Sequence, residues 1–253
     1  MFQSSIITKI RYREQFSQAL LFLFISAFPI CGYAQKSYQD YINQGNKSDS
    51  IKDYKGAITA FEQAIKLKPG EADPYYFKGN AEFDLLKYKQ AIEDYTKALN
   101  INNNYAEAYF NRGNASYELK EYDAGIADFN KFISMKPAIP EAYYDRAAAE
   151  DKNKDFNAAL DDYKQALIAN PNYYQAYYDR GNLYFNLKMF KEALEDYNQI
   201  VKIKPEYYQA WFNRAMTEFN LDDANAGCAD LNKAKELGDP DADAFITELC
   251  SEP

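Results

Sequence analysis

The sequence of 253 residues contains no histidine. This absence removes the commonest general base, the commonest nitrogen ligand for zinc or iron, and every catalytic triad in which an imidazole activates serine or cysteine. Glycine-rich phosphate loops, a nucleophile-elbow serine and cysteine clusters with metal-ligand spacing are also missing. We therefore expect a protein that is not an enzyme and uses no metal or other cofactor.

Cations are scarce relative to anions. The chain has 29 lysines and arginines against 38 aspartates and glutamates, which gives a formal net charge of −9. Such a chain does not suit nucleic-acid phosphates, because that binding draws on clustered cations. Aromatic residues are abundant by contrast, with 24 tyrosines and 17 phenylalanines, far more than a disordered acidic chain contains. We therefore expect a packed protein with no nucleic-acid partner.

No apolar run in the sequence is long enough to span a membrane. The run at residues 19–30 is shorter than the roughly 20 residues of a spanning helix, but it matches the roughly 7 to 15 residues of a secretory signal. Three cations precede it, and a small-x-small pattern ending at Ala34 follows it. We expect residues 1–34 to be a signal peptide, so that the mature chain is periplasmic or secreted. Cys31 raises the alternative of a lipid anchor, which Ile30 disfavours because a lipobox has a small side chain there.

The arginines of the mature chain reveal an internal repeat. They are Arg112, Arg146, Arg180 and Arg214, and each follows the one before by 34 residues. A fixed period of this length indicates a repeat architecture. Numbered from Tyr38 as position 1, six ungapped units cover residues 38–71, 72–105, 106–139, 140–173, 174–207 and 208–241.

Each unit predicts two helices. Aromatic residues at position 4 and small residues at position 8 share one helical face, since residues four apart lie one turn apart. The second half repeats this pattern, with small residues at position 20 and large ones at position 24. Proline at position 32 ends the second helix in four units, as Pro69, Pro137, Pro171 and Pro205.

The repeat resembles the tetratricopeptide repeat. The stretches YFNRGNA at residues 109–115 and ALEDY at residues 193–197, with Lys204 and Pro205 closing a unit, are typical of that family. The resemblance covers nearly all of the mature chain. It implies an all-α protein in which helix-turn-helix repeats stack into a right-handed superhelical α-solenoid. In this family the first helices line a concave groove that holds partner peptides or proteins.

The chain beyond the sixth unit is expected to protect the end of the stack. Terminal repeats of a solenoid need a polar outer face or a cap, and residues 242–253 contain apolar residues at helical spacing. We expect a C-terminal capping helix and a short tail there. Cys228 and Cys250 remain after cleavage, and in an oxidising compartment a pair is more often bridged than free. We expect a disulfide, although the spacing alone leaves two free thiols open.

Charged residues recur at two positions of the unit. Position 7 is lysine in unit two, Lys78, and arginine in units three to six, and position 23 is aspartate in units two to six. The set could bind anions, or each guanidinium could fork onto an aspartate of the neighbouring helix. Equal numbers of both signs at one fixed spacing favour the second, structural interpretation. The ladder residues are Arg112, Arg146, Arg180, Arg214, Asp128, Asp162, Asp196 and Asp230.

Aromatic and amide side chains recur on the predicted groove face, at positions 5, 9 and 12. An extended peptide suits this pattern, because asparagine can bond its backbone while its side chains lie between rings. A sugar chain also suits stacked rings with amides, and the rings could instead complete the packing between units. The candidate groove residues are Tyr76, Asn80, Phe83, Phe110, Asn114, Tyr117, Tyr144, Tyr178, Asn182, Phe185 and Phe212.

The charges beside that face indicate the partner. Positions 2 and 6 carry no cation in any unit, which argues against the family's subtype that clamps a C-terminal carboxylate. Acidic residues such as Asp73, Glu107 and Glu141 favour a neutral or basic partner. The sequence thus predicts a non-catalytic scaffold or adaptor of the bacterial cell envelope that binds a protein or an extended peptide. The alternative is a module that binds envelope glycan through the groove aromatics; no oligomeric state is predicted.

One unit departs from the pattern. Residues 150–155, EDKNKD, are polar where the other units carry at least one apolar residue. This predicts a longer turn over a thinner core. The turn is either an ordinary solvated loop or a sign of the least stable interior unit and of a bend in the stack.

Overall fold

A computed structural model describes residues 36–250, which form a row of α-helices. The expected signal peptide lies outside this range, as do residues 251–253. The helices are α1 (Tyr38–Ser50), α2 (Tyr54–Leu67), α3 (Asp73–Asp84), α4 (Tyr88–Ile101), α5 (Ala106–Glu118), α6 (Tyr122–Met135), α7 (Pro140–Lys152), α8 (Phe156–Ala169), α9 (Tyr174–Asn186), α10 (Phe190–Ile203), α11 (Tyr208–Asn220), α12 (Ala224–Glu236) and α13 (Ala242–Leu249).

The helices α1 to α12 form six pairs, one pair in each unit. Every helix packs against the one before it and the one after it, and the first helices of successive units also touch. This arrangement is a helix-turn-helix α-solenoid, which confirms the predicted all-α fold. No helix in the described part of the chain is both long and apolar enough to cross a bilayer.

The core of each unit is a large side chain held between small residues. The ring at position 24 is at most 2% exposed in units one to five. It lies against position 8, where space is short: a Cβ on Gly113 would be 2.8 Å from Cε1 of Phe129. Alanine or glycine at position 20 completes the contact, so that the two helix backbones approach closely. The small residues of the sequence therefore lie where the helices meet.

The turn between the two helices has the same geometry in every unit. In the second unit the N–H of Leu86 donates to the carbonyl of Phe83 at 2.8 Å, and the N–H of Lys87 donates to the carbonyl of Glu82 at 2.9 Å. This pair of bonds is a Schellman motif, whose left-handed residue is usually glycine. Here that residue has a φ between 60° and 68° without being glycine, as Lys52, Leu86, Lys120, Lys154, Lys188 and Asp222.

The fourth unit lacks the longer turn that its polar sequence predicts. α7 ends at Lys152 and α8 begins at Phe156, the same interval as between α5 and α6. The prediction was wrong because the left-handed residue and two backbone hydrogen bonds determine the turn, and residues 150–155 make both. This part of the stack differs elsewhere: α8 and α9 contact each other less extensively than the equivalent helices at the other unit junctions.

Replacing Leu86 by glycine should stabilise the protein by about 0.5 to 1 kcal/mol. A side chain in the left-handed region costs about 1–2 kcal/mol, and part of the gain is offset by the freedom glycine adds to the unfolded chain. Leu86 has a φ of 60° and is 71% exposed, so little packing is lost. Thermal unfolding measures the gain. Glu93→Gly, at an exposed position inside α4, is the control and should lower the melting temperature, since glycine destabilises a helix interior. A loss of stability in both variants would contradict the role given to the left-handed residue.

The C-terminal helix α13 packs against α12. Its Phe245 ring meets Phe212 of α11 edge-on, with centroids 5.1 Å apart. A disulfide joins Cys228 of α12 to Cys250, which follows α13, with 5.7 Å between the Cα atoms. The cross-link restricts the unfolded chain around the last helix and so ties the cap to the sixth unit.

Candidate functional site

The first helices of the units, α1, α3, α5, α7, α9 and α11, form one continuous surface, which we call the first-helix wall. Four cavities follow one another along it. The first, of about 300 Å³, lies among units one to three. The second, of about 160 Å³, lies between units three and four. The third, of about 340 Å³, involves units three to five, and the fourth, of about 420 Å³, lies between units five and six.

The rings predicted for the groove at position 5 are largely used for packing. Tyr76 lies against Tyr105, the last residue of its own unit, with ring centroids 4.7 Å apart. Tyr144 packs in the same way on Tyr173, and Tyr178 on Tyr207. Phe110 packs instead on Phe132 of α6, and Phe212 on Phe245 of α13. Tyr76, Phe110 and Tyr178 line none of the four cavities described above. Their contacts match the packing interpretation of these rings.

The asparagines at position 9 are held within the wall by hydrogen bonds. Oδ1 of Asn80 accepts from the hydroxyl of Tyr95 at 2.9 Å and from Nδ2 of Asn111 at 2.8 Å. The arrangement recurs at Asn182, whose Oδ1 accepts bonds of 2.7 and 2.9 Å from the equivalent tyrosine and asparagine. Because each oxygen is occupied twice, these amides can offer a ligand only their N–H groups. Such a donor suits the carbonyl oxygen of a peptide.

The rings at position 12 face the cavities. Phe83, Tyr117 and Phe185 are partly exposed and line the first, third and fourth cavities, respectively. Each packs on a ring of the following helix, as Phe83 does on Tyr88 with centroids 5.2 Å apart. The predicted groove residues that the structure brings to a cavity are Asn80, Phe83, Asn114, Tyr117, Tyr144, Asn182, Phe185 and Phe212.

Carboxylates line the first three cavities. Lys152, at the third cavity, is the only cation among the described residues that line any of the four. The local charge of the wall is therefore negative. No group of three His, Cys, Asp or Glu side chains within residues 36–250 is placed to hold a metal ion. The lining carboxylates are Asp49 and Asp84 in the first cavity, Asp145 in the second, and Asp151 and Asp179 in the third.

The surroundings raise the pKa of three of these carboxylates, Asp49, Asp145 and Asp179. Burial, with a smaller contribution from Glu141, raises the pKa of Asp145 to about 7. Burial also raises the pKa of Asp179, although its carboxylate accepts a 2.5 Å hydrogen bond from the hydroxyl of Tyr144. A cation placed in these cavities would favour the ionised form of these groups.

The charged ladder lies between the two helices of each unit. Nε and Nη2 of Arg112 each donate to a different oxygen of Asp128, at 2.7 Å. The same fork joins Arg146 to Asp162, Arg180 to Asp196 and Arg214 to Asp230. Nη1 of Arg112 also donates to Thr96 of the preceding unit at 3.0 Å, a link between units that the repeat pattern did not reveal. The guanidinium groups, at most 22% exposed, therefore hold helices together.

A further carboxylate joins the ladder in alternate units. Glu82, Glu150 and Glu218 at position 11 each approach the cation at position 7. One oxygen of each is buried and has no hydrogen-bond partner within the described part of the chain. Burial and the ladder aspartate raise the pKa of Glu150 and that of Glu218 to about 7. In each of these units one cation thus faces two carboxyl groups, and in units four and six the glutamate keeps a proton near neutral pH.

Glu150→Gln should stabilise the protein at pH 8 and leave it nearly unchanged at pH 5. The folded-state pKa of Glu150 is about 7, against an ordinary value of 4.5. The folded state therefore binds more protons between these two values, and the free energy of unfolding falls as the pH rises through them. Glutamine has no proton to lose, so the variant should gain about 1 kcal/mol at pH 8.

Urea unfolding at the two pH values measures this effect. Glu62→Gln makes the same change of charge on the exposed face of α2 and serves as the control. A gain of equal size for Glu150→Gln at both pH values would contradict the assigned protonation.

Two sets of wall residues have roles that the sequence analysis did not assign. Polar residues at position 6 bond to the preceding unit, and tyrosines at position 34 pack against the ring at position 5 of their own unit. The packing role of the second set could have been predicted from the sequence, because tyrosine recurs at position 34. The residues are Asn111, Asp179 and Asn213, and Tyr105, Tyr173 and Tyr207.

Family models match four stretches of the chain. A model described as TPR repeat matches residues 79–120. A model described as tetratricopeptide repeat matches residues 174–207, and another of the same description matches residues 41–71 and 106–139. No curated protein matches the sequence.

Solved structures of low sequence identity share the fold. YrrB, described as a TPR protein with an unusual peptide-binding site, is 23% identical with a TM-score of 0.64 over 75% of this chain and 98% of that one. Pseudomonas aeruginosa pilF is 18% identical with a TM-score of 0.67 over 83% and 97%. The C-terminal part of a TPR repeat-containing protein from Cytophaga hutchinsonii is 15% identical with a TM-score of 0.71 over 82% and 83%. The gapless 34-residue period, the paired helices and the matching family models together show that the chain belongs to the tetratricopeptide repeat family.

Proposed function

We propose that this protein is a non-catalytic scaffold that holds an extended, basic segment of a partner protein against the first-helix wall. The observation that carries the proposal is the row of four cavities lined by rings, amides and carboxylates. An extended segment supplies backbone carbonyls for the amide N–H groups and side chains for the cavities. The negative charge of the first three cavities favours a segment that carries lysine or arginine.

The packing of the position-5 rings favours a peptide over a sugar chain. A ring that stacks on a sugar needs a free face, and the rings of Tyr76 and Tyr144 lie against other rings. The amides and carboxylates that remain suit a peptide backbone and basic side chains. YrrB, which shares the fold, is described as having a peptide-binding site, and this description supports the same use of the wall here.

Selection from a library of short random peptides tests the proposal. Bound peptides should be enriched in lysine and arginine over aspartate and glutamate, and their affinity should fall as salt is added. The double variant Asp84→Lys/Asp151→Lys, on the wall, should lose this binding. The double variant Glu62→Lys/Asp161→Lys, on exposed faces of the second helices α2 and α8, should keep it.

Two results would overturn the proposal. One is equal binding of the selected peptides by both double variants, which would move the site off the wall. The other is a melting temperature raised by purified cell-wall glycan and by no peptide, since only a bound ligand stabilises the folded state. The second result would favour the glycan-binding alternative.

We further propose that the scaffold acts in the bacterial cell envelope or outside the cell, after removal of residues 1–34. The apolar run and the small-x-small pattern before Gln35 support this location. Fractionation of cells that produce the full chain should recover it outside the cytoplasm with Gln35 as its first residue. A cytoplasmic product that still begins at Met1 would refute export.

A further inference from the structure

The cavity at the N-terminal end of the wall is acidic, and no cation among the described residues pairs with its carboxylates. Asp49 and Asp84 line it together with Phe83 and three asparagines. Within residues 36–250 neither carboxylate forms an ion pair, and Oδ1 of Asp49 is buried without a hydrogen-bond partner. Burial and the charge of Asp84 raise the pKa of Asp49, which reflects an unsatisfied site. An ammonium or guanidinium group entering here would give the buried oxygen a donor and separate the two like charges.

The cavity at the C-terminal end of the wall carries no charge. Phe185, Phe212 and Met216 line it together with Tyr197 and three asparagines, and among the described residues no charged side chain does so. We call it the apolar cavity after its two phenylalanines and its methionine. Met216 occupies position 9, where four of the other five units, including those of Asn80 and Asn182, carry asparagine. The sixth unit thus replaces a polar donor by a flexible thioether, which packs well against irregular apolar groups. A large apolar side chain entering this cavity would gain the free energy of burial.

From this asymmetry we infer that a bound segment lies on the first-helix wall in one orientation, with a lysine or arginine in the acidic cavity and a large apolar side chain in the apolar cavity. The inference rests on the proposed function and adds two anchor residues to it. Reversing the segment would place a charge against Phe212 and Met216 and an apolar group against Asp49, and both exchanges are unfavourable.

The spacing of the anchors follows from the repeat. The acidic cavity centres on α3 and the apolar one lies between α9 and α11, so three units separate them. Successive first helices touch, which places their axes about 8–10 Å apart. An extended chain rises about 3.3 Å per residue. The basic and the apolar anchor should therefore be about nine residues apart.

Fluorescence polarisation with synthetic peptides tests the two anchors. Each peptide carries one lysine and one phenylalanine, and its other residues are uncharged. The number of residues between the lysine and the phenylalanine is varied. We expect the tightest binding at a separation of about nine residues. Replacing either anchor by serine in that peptide should weaken binding about tenfold.

Variants of the protein assign each anchor to its cavity. Asp49→Asn/Asp84→Asn should weaken the peptide that contains lysine about tenfold and leave the peptide with serine in its place unchanged. Met216→Asn, which introduces the residue that four of the other five units carry at position 9, should weaken only the peptide that contains phenylalanine. Glu62→Gln/Glu93→Gln removes two charges from exposed second-helix faces of units one and two and should change neither. Circular dichroism and melting temperatures establish that each variant is folded.

The outcomes separate this inference from the proposed function. If peptides bind but every spacing gives the same affinity, or if Asp49→Asn/Asp84→Asn weakens both peptides equally, the two-anchor arrangement is wrong and binding of an extended segment stands. If no peptide binds, including those selected from the random library, the proposed function itself is refuted.

Discussion

Alanine in place of Asp196 is expected to lower the free energy of unfolding by about 3 kcal/mol. The carboxylate is 4% exposed and accepts bonds of 2.8 and 2.6 Å from Nε and Nη2 of Arg180. Its removal leaves a largely buried guanidinium without an anion, which is the costly way to break such a pair. No glutamate stands at position 11 of this unit, because Tyr184 occupies that position.

The fourth unit provides the matched comparison. Asp162→Ala should cost only about 1 kcal/mol, since Glu150 lies 3.9 Å from Nε of Arg146 and has an oxygen without a partner. This glutamate can take over the charge of the lost aspartate. Urea unfolding of both variants at pH 8 measures the difference.

A second variant tests the cause of the larger loss. Arg180→Leu/Asp196→Ala removes both charges and should recover part of the stability that Asp196→Ala loses, because no buried charge is left unpaired. Equal losses from Asp196→Ala and Asp162→Ala would contradict the role given to the alternating glutamates.

Phe129→Ala is expected to cost about 3–5 kcal/mol. The ring is 0% exposed and meets Phe110 edge-on, with centroids 5.8 Å apart. It fills the space beside Gly113, which the alanine would leave as a cavity. Because a hairpin of a solenoid is sheltered only by its neighbours, a cavity in the third unit weakens the stack on both sides. Urea unfolding followed by circular dichroism measures the loss.

Tyrosine at the same position is the control. Units two, four and five carry tyrosine there, and the hydroxyl of Tyr95 donates to Asn80. Asn114 holds the place of Asn80 in the third unit, so Phe129→Tyr brings a hydroxyl to a waiting acceptor. We expect a change below about 1 kcal/mol. A loss as large as that of Phe129→Ala would show that the ring pocket differs between units.

The repeat pattern predicted the helices because each position has the same surroundings in every unit. Arg146 and Asp162 are 16 residues apart, and the same separation recurs in units three to six, so the pairing of helices within a unit follows from the sequence. The buried ring and its small neighbours follow in the same way, since their spacing of four matches the helical turn.

Contacts between units were harder to predict. The bond from Nδ2 of Asn111 to Asn80 joins units three and two, and the pattern of one unit does not contain it. Whether the ring of Tyr76 faces the groove or packs on Tyr105 of its own unit depends on a small rotation of the helix, which the spacing does not show either. The protonation of Glu150 was also beyond the pattern, because it arises from the burial of two carboxyl groups beside one cation. Periodicity therefore predicted the helices of each unit, and the three-dimensional stacking decided which side chains remained available to a ligand.

The contact between α8 and α9 is less extensive than at the other unit junctions, so we expect the stack to bend most easily at this joint. Four hairpins lie on one side of it, and two hairpins with the disulfide-linked cap lie on the other. The acidic cavity belongs to the longer arm and the apolar cavity to the shorter one. A segment anchored in both cavities would cross this joint. Bending of the joint would change the distance between the two cavities, so the length of segment that fits would depend on how far the joint must bend.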